Sequence, residues 1–184
     1  ESESNVPKLE GSDDISLMLR HLYKPVICKI QGSVLAGALL MVTNSTHAVA
    51  VQEAKFSAPE ILRGLWPHMV MAGLFRVMPK RAGLDFVMRG QSIDAKQAKE
   101  WGLINEFVRA EELDDYVNKL SEELASLAPG TMSFGLEAYE KQDAMAFDEA
   151  LPFLQKQIAK TFEGPDAKEG IAAFLEKRKP NWDK

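Results

Sequence analysis

A chain of 184 residues with 46 % hydrophobic and 27 % charged residues is long enough for one domain with a sizeable core. Its formal net charge of −5 argues against nucleic acid as the main partner. No apolar run of about 18 residues offers a membrane-spanning helix.

The start, ESESNVPKLEGSDD, is acidic and polar, unlike a secretory signal. Residues 1–12 have no apolar period and read as a flexible lead-in. Ser12, Asp13 and Asp14 can cap a helix whose apolar positions are Ile15, Leu17, Met18, Leu19 and Leu22, with His21 an exposed histidine at its end. Residues 26–30 form a short β-branched run entered through Pro25, which suits a strand. The single cysteine, Cys28, lies in that run; it cannot form an internal disulfide and reads as a small buried hydrophobe. Cytosol or an organelle matrix fits this usage.

Gln31-Gly32 signals a turn, and Gly37 heads an apolar run, 38–42, long enough for about two helical turns. A glycine where a helix begins lets a ligand approach the backbone. The first N–H groups of a helix lack internal partners and the dipole favours negative charge there, so this stretch can cradle an anion. A plain strand–turn–helix connection explains the same spacing. Residues 48–51 read as a second strand and Lys55-Phe56 as a third.

Pro59 and Pro67 bracket an expected loop, 60–66. Two short helices follow, 69–78 and 81–88, separated by Pro79. Asp94 with Gln97 predicts a capping box for a helix ending near Gly102, and 104–108 a strand. From Leu113 the pattern is helical, over 113–127, 131–142, 146–162 and 166–179, with breaks expected at Pro129-Gly130 and Gly164-Pro165.

Lys24-Pro25-Val26-Ile27, Gln31-Gly32, Ala36-Gly37-Ala38 and the run Ala54 to Glu60 (AKFSAPE) together resemble the crotonase family, the enoyl-CoA hydratases and isomerases. The family pattern there is K-P-V-I, N-G, a glycine triplet and A-K-F-G-x-P-E, and it fits without a gap. Further on, Gly64 to Pro67 (GLWP), Arg89 to Ala95 (RGQSIDA), Ala98 to Ile104 (AKEWGLI) and Phe174 to Trp182 (FLEKRKPNW) answer other family motifs in order. The resemblance implies an α/β fold, the crotonase-type spiral of strand–strand–helix turns followed by a helical C-terminal tail. On it, 1–110 is the C-terminal portion of the spiral, and 111–184 a helical region for oligomerisation and covering coenzyme A. The family's earlier strand–loop, A-F-x-A-G-x-D, is not found, so the chain is expected to lack its amino-terminal part.

The resemblance also implies chemistry. The family binds the thioester oxygen of an acyl-CoA with two backbone N–H groups; Gly37 matches one, and the other belongs to the missing strand–loop. Such donors stabilise an enolate by about 3–4 kcal/mol each. Hydratases pair this hole with two glutamates, twenty positions apart. Here the positions are Leu40 and Glu60. Hydration needs both carboxylates, whereas moving a double bond needs one base, so Glu60 is expected as the acid/base and isomerisation is slightly preferred over hydration.

Ala36, Leu40, Pro59, Leu65, Trp66 and His68 are expected at the substrate site. Trp66 to Met71 replaces a glycine-rich family loop with bulky groups, which implies a more apolar pocket. His68 is its polar member, although an exposed histidine is the plainer reading. Met69, Met71 and Met78 read as core packing. Phe162 and Lys179, the latter in the basic run Lys177-Arg178-Lys179, match positions that hold the coenzyme A nucleotide. The resemblance implies no cofactor and no metal, with coenzyme A entering as substrate, and a homotrimer or dimer of trimers without nucleic-acid or membrane partners. A non-catalytic acyl-CoA-binding or assembly subunit is the alternative.

Overall fold

The computed structural model describes residues 14–182. The expected lead-in, with Ser12 and Asp13, lies outside them. The described chain forms two compact units. One holds the residues up to Leu22 together with Val26–Val117; the other holds Tyr23–Pro25 and the residues from Asn118 onward.

The first unit opens with α1 (Ile15–Arg20), capped by Asp14, whose Oδ1 accepts from the N–H groups of Ser16 at 2.7 Å and Leu17 at 3.4 Å. Then come β1 (Ile27–Ile30), β2 (Val34–Leu35), α2 (Leu39–Asn44), β3 (His47–Val51) and β4 (Lys55–Ser57). After these follow α3 (His68–Val77), α4 (Lys80–Arg89), β5 (Ile93–Asp94), α5 (Ala95–Glu100) and β6 (Glu106–Val108). The first four strands alternate between two sheets. One is ordered β1-β3-β6 and is parallel throughout; the other is ordered β2-β4-β5, parallel in its first pair and antiparallel in its second. Thus β1, β2 and α2 make one turn of a spiral, and β3, β4 and α3 the next.

The central strand β3 buries Ala48, Val49, Ala50 and Val51 in succession. A strand covered on both faces needs an unbroken apolar run rather than an alternating one. Phe56, Phe86, Leu39, Leu74, Leu113 and Val87 complete the core. Burial also pushes the Cys28 thiol pKa up, which keeps it neutral.

Gly73 sets the approach of α3 to α2. A Cβ there would lie 2.9 Å from Thr43 Cβ and 3.1 Å from Asn44 Nδ2. Neither side chain is free to swing away: Thr43 Oγ1 donates to Leu39 O at 2.9 Å, and Asn44 Nδ2 to Leu40 O at 2.8 Å. Gly73→Ala is therefore expected to destabilise the fold by about 1–3 kcal/mol, as overpacking does. An unchanged midpoint in urea would show that the helices part at no cost.

The second unit is helical. α6 (Leu113–Ala125) begins in the first unit and ends in the second, followed by α7 (Pro129–Gln142), α8 (Phe147–Glu163) and α9 (Pro165–Leu175). Several boundaries differ from expectation. Pro129 and Pro165 open helices rather than breaking them, because a first-turn residue needs no N–H donor. The last helix stops at Leu175 instead of residue 179, and Lys177 takes a left-handed backbone, φ +54°. The expected loop after Pro59 is a 3-10 turn, Pro59–Arg63. Asp94 Oδ1 does accept from Gln97 N at 2.8 Å, but the Gln97 amide donates to Glu100 instead of closing a capping box.

Candidate functional site

Leu35 on β2 pairs with Ser57 on β4. Immediately beyond each lies a turn, Ala36–Ala38 and Pro59–Arg63. Gly37 and Glu60 thus leave the carboxyl ends of adjacent parallel strands, the end where parallel sheets form ligand sites.

Ala36 adopts φ +50°. The left-handed region costs a residue with a Cβ about 1–2 kcal/mol, and such strain persists only where the surroundings impose it. The bend leads the chain from β2 into the turn that carries Gly37. A Cβ on Gly37 would meet nothing within 4 Å, so its backbone faces open space. The N–H groups of Ala36 and Gly37 open this 3-10 segment, whose bonds span three residues and so give them no partner inside it. Leu40 follows in the first turn of α2, half-buried.

Glu60 sits in the first turn of its 3-10 segment behind Ala58, which is fully buried. Its Oε2 is buried and, among the described residues, no group donates a hydrogen bond to it. An unpaired buried acceptor costs about 1–3 kcal/mol, so a native one calls for an explanation. Gly64 closes the turn at φ +71°, donating to Ile61 O at 3.1 Å, while Leu65 N donates to Glu60 O at 3.1 Å.

The following loop is partly tethered. Trp66 Nε1 donates to Met71 Sδ at 3.3 Å, and Pro67 is buried at the head of α3. Pro59 is half-buried, whereas His68 is exposed and Leu65 is 62 % exposed. The bulky loop therefore holds Trp66 inward and leaves Leu65 and His68 outward. Met78 is core as expected, but Met69 is 61 % exposed, which corrects its reading as packing.

Phe162 and Lys179 belong to the second unit. Phe162 is 62 % exposed on α8, and Lys179 is exposed beyond the end of α9. Within the basic run, Arg178 is committed to Glu169 at 2.5 Å and to Glu176 at 2.6 Å, and the hydrogen bonds it donates to these two carboxylates raise its pKa further. Asn181 N joins Glu169 at 2.7 Å, and Trp182 Nε1 donates to Ser126 O at 3.0 Å, which ties the segment down.

Two features were missed in the sequence. The left-handed backbone of Ala36 has no signal in the sequence, because alanine, unlike glycine or asparagine, does not mark one. Gly90 contacts the Glu60 turn, and the only hint is a glycine after the helical run that ends at Arg89.

A family model described as enoyl-CoA hydratase/isomerase matches residues 5–184. The chain is 25 % identical over 169 residues to enoyl-CoA hydratase domain-containing protein 3, mitochondrial, of Rattus norvegicus, covering 92 % of this chain and 56 % of that protein. It is 31 % identical to a probable enoyl-CoA hydratase of Bacillus subtilis (strain 168), covering 95 % and 72 %. An enoyl-CoA hydratase structure from Mycobacterium smegmatis superposes with a TM-score of 0.89 at 26 % identity, over 98 % of this chain and 73 % of that one. The chain thus spans little more than half the length of the rat relative. The two-sheet spiral with its helical tail is the crotonase fold.

Proposed function

Because the chain belongs to the enoyl-CoA hydratase/isomerase family, we propose that it carries the acid/base half of an acyl-CoA site, with Glu60 as the base and the Gly37 N–H as an oxyanion donor. The buried, unpartnered Oε2 of Glu60 beside the Gly37 turn carries this reading. In a 3-enoyl-CoA, Glu60 takes a proton from C2. The electron pair moves onto the thioester oxygen, which the Gly37 N–H stabilises as an enolate. The same carboxyl returns the proton at C4, and the double bond ends conjugated between C2 and C3. Leu40, half-buried, supplies neither a proton nor a hydrogen bond for holding a water molecule, which needs about two to four polar partners. Isomerisation is therefore favoured over hydration. The test follows both reactions on one preparation of the whole protein, by conjugated-thioester absorbance and by the hydroxyacyl product. Faster isomerisation is expected; efficient hydration with no isomerisation overturns the assignment.

Leu40 and the bulky loop also favour a second reading, a non-catalytic acyl-CoA-binding subunit. It takes the lead if acyl-CoA binds and neither reaction occurs.

We further propose that the protein assembles as a homotrimer or dimer of trimers through its helical tail. Phe147, Leu151, Leu154, Ile158 and Phe162 recur every three or four positions on α8 and are all exposed. Replacing Leu154 and Ile158 by Glu is expected to move the light-scattering mass down to a monomer. A wild-type protein that is already monomeric at micromolar concentration refutes this.

A further inference from the structure

Resting on the reading of Glu60 as the base, we propose that Gly90 is a positioning residue for it: the missing side chain at residue 90 seats the turn that carries the carboxylate. Gly90 ends α4 with φ +58° and donates to Phe86 O at 3.2 Å. A Cβ there would lie 2.8 Å from Ile61 Cγ2, 3.1 Å from Leu62 Cγ and 3.5 Å from Ala58 O. These three residues bracket Pro59 and Glu60, so the whole base-bearing turn rests against this one backbone position.

Both sides of the contact are tethered. The Gly90 corner is held by α4 before it and by β5 after it. β5 pairs with β4, through Phe56 with Ile93 and Lys55 with Asp94, and β4 is the strand that leads into Ala58. Arg89 adds a side-chain bond to Gln91 Oε1 at 2.9 Å across the corner. On the other side, Ala58 is fully buried and Gly64 closes the turn in the left-handed region. Leu62 is 68 % exposed and can swing aside, but Ile61 is half-buried beside Glu60. A methyl group at residue 90 therefore pushes on Ile61, and the displacement passes to the neighbouring carboxylate. Misplacing a catalytic group by about 1 Å can cost on the order of 100-fold in rate.

The test measures enoyl-CoA turnover and thermal unfolding in the whole protein. Gly90→Ala is expected to lower kcat at least about tenfold, with KM little changed, at temperatures where the variant is fully folded. Ile61→Ala, which opens a gap at the same contact, also lowers kcat. The double variant Gly90→Ala/Ile61→Ala turns over faster than either single one, although its Tm is not restored, because the strained backbone at residue 90 remains. A purely structural role moves Tm and leaves kcat alone. In a Glu60→Gln background, Gly90→Ala costs no further activity. Wild-type kcat in folded Gly90→Ala overturns the positioning role while leaving Glu60 as the base. If Gly90→Ala does not fold, Ile61→Ala decides at temperatures where it is fully folded: a lowered kcat with KM little changed supports the inference, and a wild-type kcat overturns it. Wild-type turnover in Glu60→Gln brings down the reading of Glu60 and this inference together.

Discussion

Replacing Glu60 by glutamine is expected to lower enoyl-CoA turnover by about 100-fold or more and to leave acyl-CoA binding within about a few-fold. General acid–base groups typically contribute about 10²–10⁴ in rate, and an amide of the same shape can neither take nor return the proton. Binding is expected to be spared because Gly37, the proposed oxyanion donor, belongs to the other strand end. Stability supplies an independent control. The Oε2 of Glu60 is buried and, among the described residues, unpartnered, and a neutral amide there costs less to bury than a carboxylate ion. The variant should therefore melt no lower than wild type. Turnover measured beside isothermal calorimetry with a non-reactive acyl-CoA checks both halves. Wild-type turnover in a folded Glu60→Gln protein would falsify the assignment.

Replacing Leu40 by glutamate is expected to shift the product ratio from isomerisation towards hydration, with hydration rising about tenfold or more. The substitution restores two carboxylates twenty positions apart, one in the first turn of α2 and one in the turn after β4. A first-turn carboxylate is compatible with the positive end of a helix dipole. Leu40 is half-buried, so a charge there keeps part of its hydration. The new group gives a water molecule the acceptor that leucine lacks. The ratio of hydroxyacyl product to conjugated product, measured on wild type and variant side by side, reads the effect. If the ratio does not move while the variant stays folded, the absence of a second carboxylate is not what limits hydration, and His68 becomes the first alternative for holding water. Its exposed place at the head of α3 means that a ligand or another chain segment would have to enclose it.

Much of the framework is legible along the chain because it depends on neighbours in sequence. The apolar run of β3, the cap at Asp14, and the helices flanking Pro79 follow from period, capping chemistry and proline geometry. The motifs from Lys24 to Glu60 name Gly37, Leu40 and Glu60 together, and the fold places the first and last at neighbouring strand ends. The two-residue strands β2 and β5 escape notice, since two residues carry no alternation to read. Yet their pairing with β4 sets Gly37 beside the Glu60 turn and presses Gly90 against it.

The sequence by itself determined the family, the leucine at position 40, and the order of the helices and longer strands, because each is written in residue identity and short-range spacing. Only the tertiary structure decided that Ala36 is left-handed, that one oxygen of Glu60 is buried without a donor, and that Gly73 and Gly90 are points of close approach. It also decided that Lys179 lies past the end of α9, with its neighbour Arg178 taken up by Glu169 and Glu176. Each of these depends on which distant segment lies opposite. Burial, strain and ion pairing arise between groups far apart in the chain, and local pattern carries no record of them.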